Sequence, residues 1–174
     1  MVPRILWASL TFSLLIYLVA LWAVLLQAGD DAEPALEGPF VYLFLGIFGF
    51  VSLVAARMSI FLNRKVYSSS FVDSVAGKLA SRGKVTEQAI VTAVMPRFQT
   101  TNIMCWAINE GICLFGFALA YMSMQVLLYI PFLVLGLCLN IFMFPRLGAI
   151  AEKARDWLAS PAARRYDREG LVAR

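Results

Sequence analysis

The chain has no histidine, only three cysteines, and charged residues make up just 15% of it. Without histidine there is no imidazole for haem ligation, for a His-based zinc site or for His-based acid/base catalysis. Cys105, Cys113 and Cys138 have no C-x-x-C spacing, and all three fall in apolar stretches. They read as small, polarizable packing residues. No metal and no cofactor is expected. The sequence also lacks a phosphate-binding glycine loop, a dinucleotide fingerprint, a nucleophile–base set and an internal repeat, so a non-enzymatic role is expected.

The shortage of charge has a further meaning. A soluble domain carries about 25% charged residues, whereas this chain is 61% apolar with a mean hydropathy of +0.77. That composition implies a membrane class. The fold class predicted is an all-α integral membrane protein, with four transmembrane helices and amphipathic cytoplasmic surface helices.

Four apolar runs fit spans of about 20 residues. They are 5–27, 40–62, 103–122 and 126–144, joined by a polar segment over 63–100 and followed by a basic tail over 147–174. Residues 1–146 are therefore read as the bundle. The first run is longer than the apolar core of a secretory signal and no A-x-A site follows it, so it reads as a retained span. Trp7 and Trp22 near its ends suit an interfacial aromatic belt.

Charge asymmetry sets the orientation. Asp30, Asp31, Glu33 and Glu37 share one loop without a Lys or Arg, while Arg64, Lys65, Lys78, Arg82, Lys84 and Arg97 crowd the 63–100 segment. The positive-inside rule then puts both termini in the cytoplasm. The basic residues flank apolar spans, so they indicate headgroups, not nucleic acid. The economy of the loops points to a bacterial inner membrane.

The polar segment has its own pattern. Ser70–Asp73 has the form of a capping box, followed by Phe71, Val72, Val75 and Leu79 on one helical face, with Gly83 as a stop. A second short helix is predicted over 85–95, ended by Pro96. In the tail, Ile150, Ala154, Trp157 and Leu158 give an apolar face, and a mobile end is expected after Pro161. These amphipathic pieces are expected to lie on the inner membrane surface, with partner docking as the alternative.

Within the spans, small residues form stripes. Gly49, Ser52, Ala56 and Ser59 recur on one face of the second span, and Asn109, Cys113, Gly116, Ala120 and Ser123 on one face of the third. Such stripes allow helices to approach closely. They suggest that the second and third spans pack together, or that one of them packs on another subunit or a second copy.

The polar residues inside the spans are the sharpest functional clue, since a charge in hydrocarbon is costly unless paired or facing a cavity. Asn109 and Glu110 sit side by side, and Glu110 is roughly 13 Å in from Thr101 along a helix. Arg57 lies near the inner end of the second span, where snorkelling to headgroups would suffice. Glu110 has three readings. It pairs with Arg57 or is hydrogen-bonded by Asn109, Asn140 or a carbonyl, and only ties helices together. It binds a proton or cation on a translocation path. Or it contacts a partner subunit or a lipid-like ligand.

The stretch Glu110-Gly111-Ile112-Cys113-Leu114-Phe115-Gly116 resembles the ion-binding helix of the proteolipid c subunits of rotary ATPases. In that family a carboxylate is followed by a small residue, apolar residues, an aromatic and a glycine six positions on. The resemblance implies a proton-carrying role for Glu110. The chain departs from the family's glycine-rich first hairpin helix, with only Gly46 and Gly49 in its second span, and from the family's short hairpin loop. The leading functional expectation is a non-catalytic accessory, assembly or scaffold subunit of a larger membrane complex. The alternative is a proton- or cation-translocating component using Glu110.

Overall fold

A computed structural model of the chain describes residues 2–29, 33–82, 85–161 and 163, the side chains of 2 and 3 excepted. Among them there is no strand. Six α-helices follow one another: α1 Val2–Ala28, α2 Pro39–Val66, α3 Ser69–Ala80, α4 Glu87–Met122, α5 Ile130–Phe142 and α6 Leu147–Ala159. A 3-10 turn, Val126–Leu128, precedes α5. Four helical stretches are long and apolar enough to cross a membrane: Arg4–Ala28, Pro39–Val66, Glu87–Met122 and Val126–Ala159. Asp30, Asp31, Gly83, Lys84 and the tail beyond 163 lie outside the described residues, and with them the acidic loop's first carboxylates, the expected Gly83 stop and the expected mobile end.

Local chemistry explains the helix ends. Pro39 opens α2, where its missing N–H has no helical partner to lose. Arg64 and Lys65 close the same helix, opposite the negative end of its dipole. The turn after α4 is as tight as the sequence predicts. Met124 adopts φ 55°, the Gln125 N–H donates to Ala120 O at 3.0 Å, and the Met124 N–H donates to Tyr121 O at 3.3 Å. That is a Schellman motif, with Met in the left-handed position where Gly is usual.

Two expectations about ends are corrected. The helix predicted to stop at Pro96 does not stop, and α4 runs through it to Met122. An internal proline removes one backbone bond and costs about 3 kcal/mol or more. Here Pro96 itself is exposed, while Val94 and Phe98 on either side are fully buried, and their burial offsets the loss. The Thr100 hydroxyl also donates to Pro96 O at 3.0 Å. The N-cap of α3 is Ser68, not Ser70, and it makes no side-chain cap bond. Its hydroxyl donates back to Lys65 O at 2.7 Å, so the capping box does not form.

The chain divides into two compact units. One comprises residues up to 61 with 104–144, and the other 62–103 with the segment from 145. In the first, α1 packs against α5 around Leu14, Leu21, Cys113, Tyr129 and Leu133. The Tyr129 hydroxyl, deep in this core, donates to Leu14 O at 2.9 Å.

The second unit differs from the loop and separate tail that the sequence suggests. Buried residues repeat at helical spacing on three helices: Val72, Ala76 and Ala80 on α3, Ile90, Val94 and Phe98 on α4, and Ile150, Ala154 and Trp157 on α6. The three stripes cover one another, and α3 packs directly on α6. Apolar faces expected against a membrane surface are thus covered by protein. Mutual cover is the outcome when three such faces are close enough to remove each other's apolar area from water. The Tyr67 hydroxyl accepts from the Arg146 N–H at 2.9 Å, and the Arg155 guanidinium pairs with Glu87 at 2.9 Å on the exposed side.

Candidate functional site

Asn109 and Glu110 are neighbours on α4, but consecutive helical residues point about 100° apart. They therefore serve different partners. Asn109 is fully buried and stands between α2 and α5. Its Oδ1 accepts from the Ser59 hydroxyl at 3.0 Å, and its Nδ2 donates to Asn140 Oδ1 at 2.9 Å. Ser59 has one proton, and its other acceptors, Cys105 O and Met143 Sδ, are both farther at 3.3 Å. Asn140 is buried as well, and its Nδ2 has no partner among the described residues. The Asn140 backbone oxygen accepts from Trp7 Nε1 at 2.8 Å. Trp7 is therefore turned into the helix packing, its ring edge-on to Phe144 at 4.9 Å. Trp22 is exposed.

Glu110 is half-buried and faces α1. Its Oε1 accepts from the Tyr17 hydroxyl at 2.8 Å and the Ser13 hydroxyl at 3.0 Å. Ser13 also donates to Leu10 O at 2.7 Å, so its single proton is divided between two acceptors. The expected pairing of Glu110 with Arg57 does not form. Arg57 is exposed and makes no ion pair among the described residues. Asn109 and Asn140 also do not bond Glu110, because the helical twist aims Asn109 at other helices. Sequence reasoning missed Ser13 and Tyr17. The available signal was the four-residue spacing of Ser13 and Tyr17, which places them on one helical face, although Ser9 and Thr11 offer further hydroxyls in the same run.

The small-residue stripes serve two neighbours. A Cβ on Gly116 would collide with the Phe132 side chain, and one on Gly136 would collide with Cys113 Sγ. The Cys113 thiol donates to Phe132 O at 3.4 Å, and Ala120 is fully buried. The close approach permitted by the stripe on α4 is therefore to α5. The stripe on α2 reaches α4 through Ser59, and Phe48 stacks on Phe115 at 5.2 Å. Ala56 and Ser52 are buried, Ser52 Oγ without a partner among the described residues. Gly49 faces open space.

Chemically, the arrangement is a set of helix-tying hydrogen bonds. A carboxylate only accepts, and Glu110 receives two hydroxyl donors from α1. The Asn109 amide uses both ends to join α2 and α5. No group of three or more metal-ligating side chains occurs among the described residues. Comparison with protein-family models, with curated proteins and with solved structures finds no match.

Proposed function

We propose that the chain is an integral membrane protein with four spans and cytoplasmic termini, in a bacterial inner membrane, and that it acts as a non-catalytic accessory or assembly subunit of a larger membrane complex. The four long apolar stretches and the charge asymmetry support the first part.

The observation that carries the second part is one face of α2. Phe50, Leu53, Val54, Met58 and Phe61 fall at helical spacing and are all exposed, Phe50 at 69% and Phe61 at 63%. Arg57 sits in the middle of this stripe. Lipid suits the apolar residues, while the guanidinium among them needs an acceptor, either a headgroup reached by snorkelling or a group on a partner. A partner helix offering a carboxylate or free carbonyl beside an apolar surface meets both needs. The basic surfaces of the second unit suit anionic headgroups at the cytoplasmic side.

The experiment is purification of tagged full-length chain in mild detergent, wild type beside Arg57→Leu. A membrane protein present in stoichiometric amount with the wild type and lost with Arg57→Leu is the expected result. A chain that runs alone and is unaffected by the substitution overturns the accessory role.

A second reading rests on Glu110. Among the described residues its side chain accepts from two hydroxyls, and a hydroxyl, being both donor and acceptor, can link a carboxyl group to a hydrogen-bonded chain. This arrangement, with the likeness of Glu110–Gly116 to proteolipid c subunits, supports a proton-translocating component. Glu110→Gln separates the readings. It abolishes proton flux in liposomes under the second and leaves any complex assembled under the first.

A further inference from the structure

The second unit contains a cavity of about 320 Å³ where α2 ends, α3 begins and α4 passes. That size lies within the range of small-ligand sites. Its polar wall carries Lys65, Arg97 and the hydroxyl residues Ser68, Ser70 and Thr101, and its apolar wall includes Leu62 and Phe71. The Arg97 guanidinium is held over the Phe71 ring, 5.4 Å from its centroid. Neither cation is ion-paired among the described residues, where the single Lys/Arg–carboxylate pair is Arg155 with Glu87. The wall also includes the first turn of α3, whose cap residue Ser68 gives its side chain to Lys65 O and not to the helix N–H groups. The positive end of α3 is thus left uncovered beside two cations.

From these features we propose that the cavity binds a phosphate ester group, with the guanidinium and ammonium on its oxygens and the apolar wall beside its organic part. Arg and Lys are the side chains best suited to phosphate oxygens, and hydroxyls and helix N–H groups complete such sites. Anionic phospholipid headgroups and free phosphate esters share this chemistry. Assignment to a lipid rests on the membrane reading above, which would bring Lys65, at the end of the apolar helix α2, to headgroup depth.

The test uses the full chain purified in non-ionic detergent. Phosphatidylglycerol, phosphatidylcholine and inorganic phosphate are added separately, and bound molecules are counted by native mass spectrometry. Lys65→Gln/Arg97→Gln is compared with Lys78→Gln/Arg82→Gln, which has the same charge change, with Lys78 roughly 12 Å along α3 from Ser70. The expected result is one phosphatidylglycerol retained in preference to phosphatidylcholine, weakened about thirtyfold in the cavity variant and unchanged in the control. Competition by inorganic phosphate supports the site with a free phosphate ester as its occupant. Equal retention by both variants overturns the proposal, as does equal binding of the two lipids with no effect of inorganic phosphate. A chain that partitions into the aqueous fraction without detergent ends the membrane reading alone, and the inorganic phosphate arm still judges the site. Retained helical content by circular dichroism shows that a loss of binding is not unfolding.

Discussion

The Tyr17 hydroxyl meets Glu110 Oε1 at 2.8 Å, and Ser13, one turn earlier on α1, meets the same oxygen at 3.0 Å. Two donors on one helix thus converge on one acceptor of another. They are not equivalent, because Ser13 divides its proton with a second acceptor, Leu10 O at 2.7 Å, whereas the Tyr17 hydroxyl donates to Glu110 at 2.8 Å. Tyr17→Phe is expected to lower stability by about 1 kcal/mol and Ser13→Ala by less. Glu110→Gln keeps an acceptor oxygen and should cost less than Glu110→Leu. Reversible unfolding in detergent measures the order. A larger loss from Ser13→Ala than from Tyr17→Phe would reject this view of the contact.

Asn109 makes a sharper case because it is fully buried. Asn109→Leu removes the donor to Asn140 Oδ1, which is left unpaired, and the nearest acceptor of Ser59, whose hydroxyl must turn to Cys105 O at 3.3 Å. Each buried unsatisfied group costs about 1–3 kcal/mol. Asn109→Leu/Asn140→Leu removes a polar group from both sides of one bond, so its total should fall below the sum of the two single losses. A double-mutant cycle by the same unfolding measurement gives that coupling. Additive losses would mean that the two amides do not act as a pair.

Residues that act through their own helix were legible in the sequence, and residues that act through a neighbour were not. The apolar runs announced the long helices, and the lack of room after Met122 announced the tight turn. Asn109 and Glu110 stood out by their polarity. Their partners depend on which helices adjoin, and a one-residue step along α4 changes the facing neighbour by about 100°. Arg57 drew attention for its charge opposite Glu110, although opposite charge does not fix helix rotation. Pro96 misled for a related reason. A local rule predicts a stop, while burial of Val94 and Phe98, a property of packing, carries the helix onward.

Close packing between α4 and α5 gives a prediction with an internal control. Gly136→Ala would drive a methyl into Cys113 Sγ, and Gly116→Ala would drive one into Phe132, meeting its Cβ first. Overpacking of this kind costs about 1–3 kcal/mol. Cys113→Ala removes the obstructing sulfur and should recover much of the Gly136→Ala loss. What remains reflects Asn109 O, 3.3 Å from the added Cβ. Phe132→Ala should not rescue Gly116→Ala, since alanine keeps the Cβ. Unfolding of the two single and two double variants distinguishes direct collision from a general intolerance of the helix to substitution.

The second unit predicts a contrast between two neighbours on α6. Trp157 is buried at 4% exposure in the cluster shared with α3 and α4, whereas the Arg155 side chain is 70% exposed in its pair with Glu87. Truncating a buried tryptophan to alanine typically costs about 3–5 kcal/mol, because the transfer loss is joined by a cavity. An exposed ion pair gains little, since water and salt screen it. Trp157→Ala should therefore speed amide exchange over α3 and the first turns of α4, while Arg155→Ala should leave both protected. If the apolar faces of α3 and α6 were instead held by a membrane surface, removal of bilayer mimetics would release exchange in α3 even with Trp157 in place. Exchange mass spectrometry of wild type and both variants, in nanodiscs and in detergent, tests the two origins of protection in one experiment. Protein-to-protein cover predicts that the variant, and not the surrounding medium, decides the rate.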